Sequence, residues 1–394
     1  MYPDLSYVFH DLFGTEVDNW TSIFKTFGVL LAIALITAGW FVKIEMQRKE
    51  KEGLLPKLRI RKVDNKKMAV REAIVNGLIG FFFGYKLPFI FTQFEVFKAD
   101  PAGTIFSGAG TLIGGILGAL ILGGIYYYTA LNKPKEATME PGEYLLSPYM
   151  KIGDIMIMCA IVGVGGARLF SVLENWGDFV NDPFGQLFSG SGLTIYGGLI
   201  CCFIFIPMYF KKIGLNTRVM MDVAAPAIMV GYGIGRMGCH FAGDGDWGIV
   251  NALAQPNWWI FPDWLWAYDY PNNVLNKGVP IEGCEGIYCR RLAEAVFPTP
   301  LYEITMSFII VAILWAIRKK VKIAGMLFFI MLIFNGIERF FIEGIRVNPR
   351  YDLLGLDWSM SQWIAIGFIL TGIIGGIVLR MLPNVEPSQE PIVT

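Results

Sequence analysis

Runs of about twenty apolar residues recur along this chain of 394, and each is long enough to cross the hydrocarbon core of a bilayer as a helix. The chain therefore reads as an all-α polytopic membrane protein. Its 54% hydrophobic and 17% charged residues set it apart from soluble globular chains. Hydropathy places about nine spans, at residues 21–42, 69–91, 104–130, 152–173, 193–210, 219–238, 300–317, 323–342 and 360–381. The segments are then an N-terminal stretch (1–20), the first span (21–42), a basic loop (43–71), a hairpin (69–130) and a membrane core (152–382) that includes a long loop (241–298). A polar, proline-containing tail (383–394) is expected to be disordered. The N-terminal stretch has no cationic n-region, so no cleaved signal peptide is expected.

Lysine and arginine placement orients the spans. The basic loop, the Lys211, Lys212 and Arg218 group, and the Arg318, Lys319, Lys320 and Lys322 group all fall on one side if nine spans alternate. That side is predicted to be cytoplasmic, with the N-terminus outside and the C-terminus inside. Basic residues confined to juxtamembrane positions, without a folded basic domain, exclude a nucleic-acid partner. Four arginines break the pattern: Arg168, Arg236, Arg339 and Arg346 lie in the outer halves or at the outer ends of their spans. A charge at such depth is costly unless paired. Excess cation there asks for an anionic ligand, of which a glycerophospholipid headgroup is the nearest candidate; the plainer reading is an interfacial arginine snorkelling to water.

The central stretch is Gly231–Gly248, GYGIGRMGCHFAGDGDWG, with Arg236, Cys239, His240, Asp244 and Asp246 at the end of an apolar segment. A second is ERFFIEGIR, where Arg339, Glu343 and Arg346 stand at i, i+4 and i+7, on one face of a helix. It reads either as an ion-paired stripe between spans or as Glu343 holding two guanidinium forks toward a phosphate. Thr194–Ile200 brings Tyr196, Gly197 and Gly198 to the outer rim of the fifth span, and Pro298–Glu303 brings Tyr302 and Glu303 into the seventh. Cys159, Cys201 and Cys202 read as small buried hydrophobes. Cys284 and Cys289 pair if their loop faces an oxidising space, and they lack the second ligand pair of a zinc site. No metal or cofactor is expected.

An internal repeat is offset by 82 residues: Asp100–Gly110 (DPAGTIFSGAG) corresponds to Asp182–Gly192 (DPFGQLFSGSG), and Lys86 falls opposite Arg168. A duplicated span–loop–span hairpin is the natural reading, its first copy structural. The loop 241–297 is dense in tryptophan and tyrosine, as in a domain resting at a membrane–water interface.

Together these segments resemble the prolipoprotein diacylglyceryl transferase family. Gly235–Gly238 (GRMG) with Gly243, Asp244, Trp247 and Gly248 is similar to the family signature around its key arginine. TIYGGLI is similar to its HGGLIG motif and PTPLYE to its HPSQLYE-type segment; Gly165–Arg168 resembles its GGR, and Phe27-Gly28 stands where the family has Tyr-Gly. The departures are at polar positions: Tyr196 replaces a histidine, Phe27 a tyrosine, Cys239 and Ala242 asparagines, and Asp244 a glutamate, with one extra residue before Trp247. The resemblance covers the first span and residues from about 152 onward, leaving the hairpin 69–130 as an addition to a seven-span family.

The resemblance implies transfer of diacylglyceryl from phosphatidylglycerol to the lipobox cysteine thiol of preprolipoproteins, the first step of lipoprotein maturation, at the outer leaflet of the bacterial inner membrane. Its partners would be phosphatidylglycerol, the substrates' signal peptides and surrounding lipid, with a further protein at the added hairpin as a guess. Arg236 and Arg339 are then expected to stabilise the phosphate leaving group, with Arg346, Arg168, Glu343, Tyr302, Gly197, Gly198, Gly235, Gly238, Gly243 and Gly248 shaping the lipid site. His240, Asp244 and Tyr196 are candidates for the base that takes the thiol proton; His240 is preferred, since its ordinary pKa suits the task. The alternatives are an inactive relative serving as a lipid-binding subunit of a larger complex, and a transporter with a midplane anion site.

Overall fold

In the computed structural model the described residues are 1–61, 65–99, 104–105, 107–131, 143–183, 186, 194–353, 355–387 and 392–393. Ten principal helices follow in order: α1 (Leu5–Phe13), α2 (Thr26–Lys51), α3 (Asn65–Thr92), α4 (Leu112–Leu131), α5 (Ile152–Glu174), α6 (Ile195–Lys212), α7 (Thr217–Ala242), α8 (Thr299–Ile317), α9 (Met326–Glu343) and α10 (Met360–Met381). All except α1 are at least 18 residues long, and they fall on the nine expected spans. Six of the helices, in α2, α3, α4, α5, α8 and α10, are long and apolar enough to cross a membrane by themselves. In α7 and α9 the apolar run is broken by charges: Asp222 and Arg236 in the first, Glu338, Arg339 and Glu343 in the second. Burial inside a helix bundle offsets that cost.

The boundaries differ in places. The first span's helix, α2, begins at Thr26 and runs to Lys51, so Lys43, Arg48, Lys49 and Lys51 of the expected basic loop extend the helix beyond its apolar part. The N-terminal stretch is helical at α1, capped by the Asp4 side chain on Ser6 N–H. The third span starts at Leu112 rather than 104.

The chain divides into two compact units, residues 1–55 with 215–388 and residues 56–214 with 389–394. In the first, α7 packs on α2, α8 and α9, and α9 on α10. Its core interleaves Met229 and Val230 of α7 with Val311 and Leu314 of α8 and Leu327, Phe328 and Met331 of α9. One end is latched by buried charge: Glu45 of α2 accepts from Arg48 (2.6 Å) and from Arg318 beyond α8 (2.8 Å), and Asp222 accepts the Leu327 N–H (2.9 Å) and pairs with Lys49 (3.6 Å). The loop after α7 and residues 1–25 cap the other end. There Tyr2 N–H reaches Phe241 O (2.7 Å), and Ile287 and Tyr288 N–H reach Asp18 (2.8 Å) and Tyr7 (3.1 Å). A Cys284–Cys289 disulfide closes the loop segment that makes the last two contacts.

In the second unit α3 packs on α4 and α5 on α6. Glycines set both contacts. A Cβ at Gly84 would stand 2.1 Å from Gly114 O, and one at Gly197 would stand 2.6 Å from Gly166 O, so neither position admits a side chain. Gly84 and Gly166 are repeat equivalents. Lys86 turns inward in the first copy, its Nζ donating to the carbonyls of Thr104 (2.9 Å), Ser107 (2.6 Å) and Ala109 (2.8 Å). Most of the second copy's DPFGQLFSGSG lies outside the described residues. Leu58–Arg61 pairs antiparallel with Glu143–Leu146 and parallel with Ile392–Val393 of the polar tail.

Candidate functional site

Three chain turns bring charge to one end of the first unit. Helix α7 stops at Gly243, whose left-handed backbone (φ 63°) lets its N–H cap Cys239 O at 3.0 Å; a Cβ there would also lie 2.9 Å from Asn273 Cβ. The chain doubles back through an Asx turn, Asp246 N–H on Asp244 Oδ1 (3.2 Å), which returns Asp246 to Arg236. Helix α8 starts at Thr299-Pro300, where proline suits the first turn, and Thr299 Oγ1 donates to Asp246 O (2.7 Å). Glu303 follows one turn inside. Helix α9 ends at Glu343, and Gly344 N–H turns back onto Phe341 O, so Arg346 is delivered by a turn rather than by the helical face expected from its spacing. A bridge between Gly248 and Arg346 fixes it, and Gly248 packs too closely on Ile345 O (2.6 Å to an added Cβ) for any side chain.

The guanidinium groups converge on Glu303, whose side chain is fully buried. Its Oε2 lies 3.2 Å from Arg236 Nε, and its Oε1 lies 2.8 Å from Arg339 Nη1 and 3.6 Å from Arg346 Nη1. Tyr232, one turn before Arg236, donates to Glu303 Oε1 (3.1 Å), stands 3.2 Å from Glu338 Oε1, and puts its ring under the Arg236 guanidinium. Asp246 bridges Arg236 and Arg346, the second contact at 2.5 Å. Glu343 Oε2 lies 3.3 Å from Arg339 and 3.9 Å from Arg346, while its Oε1 accepts from Ser359 (3.0 Å) and Asn348. Three arginines thus pair with three carboxylates, and buried Glu338 joins them through the Tyr232 hydroxyl. The cluster is not a cationic cradle left open for an anion. Its carboxylates differ in access: Glu303 and Glu343 side chains are wholly buried, and Asp246 is 31% exposed.

The remaining candidates separate. Burial, with the negative charge of Asp246 beside it, holds the Asp244 carboxyl above its usual range. Burial also raises Asp246, but Arg236 and Arg346 outweigh it and hold that carboxyl below the usual value. Cys239 Sγ and oxygens of Asp244 and Asp246 lie within 4.8 Å of one another, a spacing a cation can bridge; here Arg236 supplies the cation for Asp246. His240 is buried, its Nδ1 3.4 Å from the Tyr270 hydroxyl and its ring against Phe241, Tyr268 and Tyr270. It lines a separate cavity of about 690 Å³ with Tyr2, Tyr7, His10 and Glu282. Tyr302 donates to Leu265 O (2.9 Å), tying the long loop to α8. Gly235 faces open space, and Gly238 packs on Phe27, the residue at the first-span tyrosine position. Arg168, Gly197 and Gly198 lie in the second unit, with Gly198 against Gly163 O; the Tyr196 side chain lies outside the described residues.

Glu303 and Asp246 stood in the stretches singled out from sequence but were given no role, and Tyr232 and Glu338 were not singled out at all. Each carries a signal: Glu303 and Glu338 are carboxylates inside apolar spans, Tyr232 precedes Arg236 by one helical turn, and Asp246 sits within the glycine-rich stretch itself.

The profile of the family described as prolipoprotein diacylglyceryl transferase matches residues 142–378. Helices α5 to α9 and all but the last turn of α10 lie inside that match; the α3–α4 hairpin and α2 lie outside it. Phosphatidylglycerol–prolipoprotein diacylglyceryl transferases of Bacillus cereus (strain G9842) and Bacillus thuringiensis subsp. konkukian (strain 97-27) are each 30% identical over 252 residues, 64% of this chain and 84% of theirs. That of Bacillus anthracis (strain CDC 684 / NRRL 3495) is 29% identical over the same length. With its arginine–carboxylate cluster built from the matched segments, the chain belongs to the prolipoprotein diacylglyceryl transferase family.

Proposed function

We propose that this chain transfers the diacylglyceryl group of phosphatidylglycerol to the cysteine thiol of a prolipoprotein, in the bacterial inner membrane with the arginine end facing outward. The observation that carries the reading is the meeting of Arg236, Arg339 and Arg346 around buried Glu303, in a chain of this family. The basic latch at the opposite end agrees with the positive-inside orientation.

In the reaction the substrate thiol loses its proton, and the sulfur attacks the glycerol carbon esterified to phosphate. The C–O bond breaks, a thioether forms, and glycerol phosphate leaves. The leaving phosphate gains a charge, so fixed donors aimed at it supply the main stabilisation. Asp246, the most accessible of the three carboxylates, holds the place of that phosphate: when it swings to water, Arg236 and Arg346 each free a fork. The three guanidiniums then keep only two carboxylates, Glu303 and Glu343, in direct ion pairs, and the freed forks are open to one phosphodiester. The two buried carboxylates stay behind to hold the arginines in position. For the proton, Asp244 is better placed than His240, because it sits beside Asp246 and Arg236 with its carboxyl raised toward a useful range, whereas the His240 ring is held among aromatics.

The test is purified enzyme in vesicles with a fluorescent lipobox peptide. Thioether formation with phosphatidylglycerol and none with phosphatidylethanolamine is expected. Intact protein that leaves the peptide unmodified in phosphatidylglycerol would favour an inactive relative instead.

A further inference from the structure

The loop after α7 is divided by charge. From 249 to 266 it contains one charged residue, Asp263, whose Oδ1 accepts from Gln255 (3.1 Å); the part after 276 carries Lys277, Glu282, Glu285, Arg290 and Arg291. The uncharged part exposes its apolar side chains. Ile260 is 87% and Trp258 71% exposed, and Leu253, Phe261 and Trp264 are exposed beside them. An isolated exposed apolar residue is ordinary, but a contiguous rimmed patch marks an interaction surface. The segment is also shaped on its own. Trp259 packs edge-on against Phe261 and Trp266, Trp266 Nε1 donates to Leu253 O (3.1 Å) and Asn251 Nδ2 to Trp266 O (2.7 Å). Its tip therefore stays apolar without open backbone acceptors at those points.

What covers the patch follows from where it is rooted. Ile249 N–H bonds Ile345 O (2.9 Å), Asn251 N–H bonds Ala295 O (2.9 Å), and Tyr302 bonds Leu265 O. Ile345 follows just after α9, Tyr302 is in the first turn of α8 and Ala295 lies in the segment leading into it, the level at which these helices leave the apolar layer. Tryptophan, amphipathic and rich in surface, is the residue that settles at that boundary. We propose that residues 249–264 form a finger that inserts into the lipid interface of the leaflet holding the arginine cluster, with Trp258, Ile260 and Phe261 at its tip. The occupant is lipid itself, and the apolar tip calls for no particular headgroup.

The test uses the full chain with Ile260→Cys carrying an environment-sensitive fluorophore, and Lys277→Cys in the charged part as the aqueous reference. Ile260 is almost fully exposed, so the change leaves packing intact, and unsubstituted protein corrects for labelling of native cysteines. In vesicles of phosphatidylcholine alone, and again with phosphatidylglycerol, the probe at 260 should be quenched several-fold more by lipids nitroxide-labelled near the headgroup than by aqueous iodide. The probe at 277 should show the reverse. Iodide quenching at 260 equal to that at 277 in both vesicles would overturn the proposal and leave the patch to a protein partner. Lipid quenching only with phosphatidylglycerol would overturn it in favour of headgroup recognition.

Discussion

Glu303→Gln tests the cluster most directly. The substitution keeps the volume and one acceptor but removes the charge to which three guanidiniums point at 3.2, 2.8 and 3.6 Å. Each contact carries roughly 5 kcal/mol of gross attraction at an effective dielectric near 20. That sum is not the cost, because desolvation opposes it; removing one partner of a buried pair costs about 3–5 kcal/mol. The low end applies here, since Arg236 keeps Asp246, Arg339 keeps Glu343, and Arg346 keeps both. A loss of about 3 kcal/mol lowers the unfolding midpoint by roughly 6–12 °C for a unit of this size. The assay is thermal unfolding in detergent at pH 7, read by loss of the monodisperse peak. A double-mutant cycle with Arg339→Met should show the two changes costing less together than separately, by more than about 1 kcal/mol. A midpoint shift under about 2 °C with an additive cycle would refute the hub.

The other substitutions separate binding from chemistry. Asp246→Asn removes the competitor for the phosphate, so the phosphatidylglycerol concentration giving half-maximal rate should fall while the unfolding midpoint at pH 7 moves less than for Glu303→Gln; a rise in that concentration counts against the exchange. The depressed Asp246 carboxyl contributes stability that is full above its unfolded value near ~3.9 and fades as pH falls through the lower folded value, so the wild-type advantage over Asp246→Asn should shrink below about pH 4 in an unfolding series. Arg236→Ala or Arg339→Ala should lower turnover by on the order of 10²–10³ in the vesicle assay, with the protein still folded. For Asp244, whose carboxyl is raised, rate should climb with pH through a limb above the ordinary aspartate range; Asp244→Asn should abolish that limb, and a limb unchanged in Asp244→Asn but lost in His240→Gln would return the role to His240.

The helices were legible because apolar length is a local property, readable without knowing what packs on what. Their ends were less so: Lys43 to Lys51 were assigned to a loop by charge, yet they continue α2, where Glu45 meets Arg318 from a helix far along the chain. The arginines were found because they violate the orientation pattern, and that signal is local as well. Their partners needed the fold. Glu303 is separated by 36 residues from Arg339 and 67 from Arg236, and nothing in sequence says that all three meet. From sequence Glu343 could be offered to Arg339 and Arg346, but Arg236 was left an unpaired cation seeking a phosphate; in the fold, Asp246 and Glu303 already answer it.

That balance explains how such a site can exist in a membrane protein at all. Three unpaired guanidiniums at the ends of α7 and α9 would oppose insertion of these two helices, whose apolar runs are already broken by charge. Glu303 and Glu343, wholly buried, remove most of that cost and hold the forks rigid. Were the third carboxylate buried as well, the cluster would be a closed salt-bridge knot with no reason to admit an anion. Asp246 instead stands on a turn set by Gly243, partly exposed, on the only one of the three carboxylate-bearing segments that is not a helix. The positions that stabilise the site are thus helical and buried, and the position that exchanges with substrate is on a loop. A change that stiffens the Gly243 turn, such as Gly243→Ala against Asn273, should therefore slow phosphate entry more than it weakens the arginine pairs themselves.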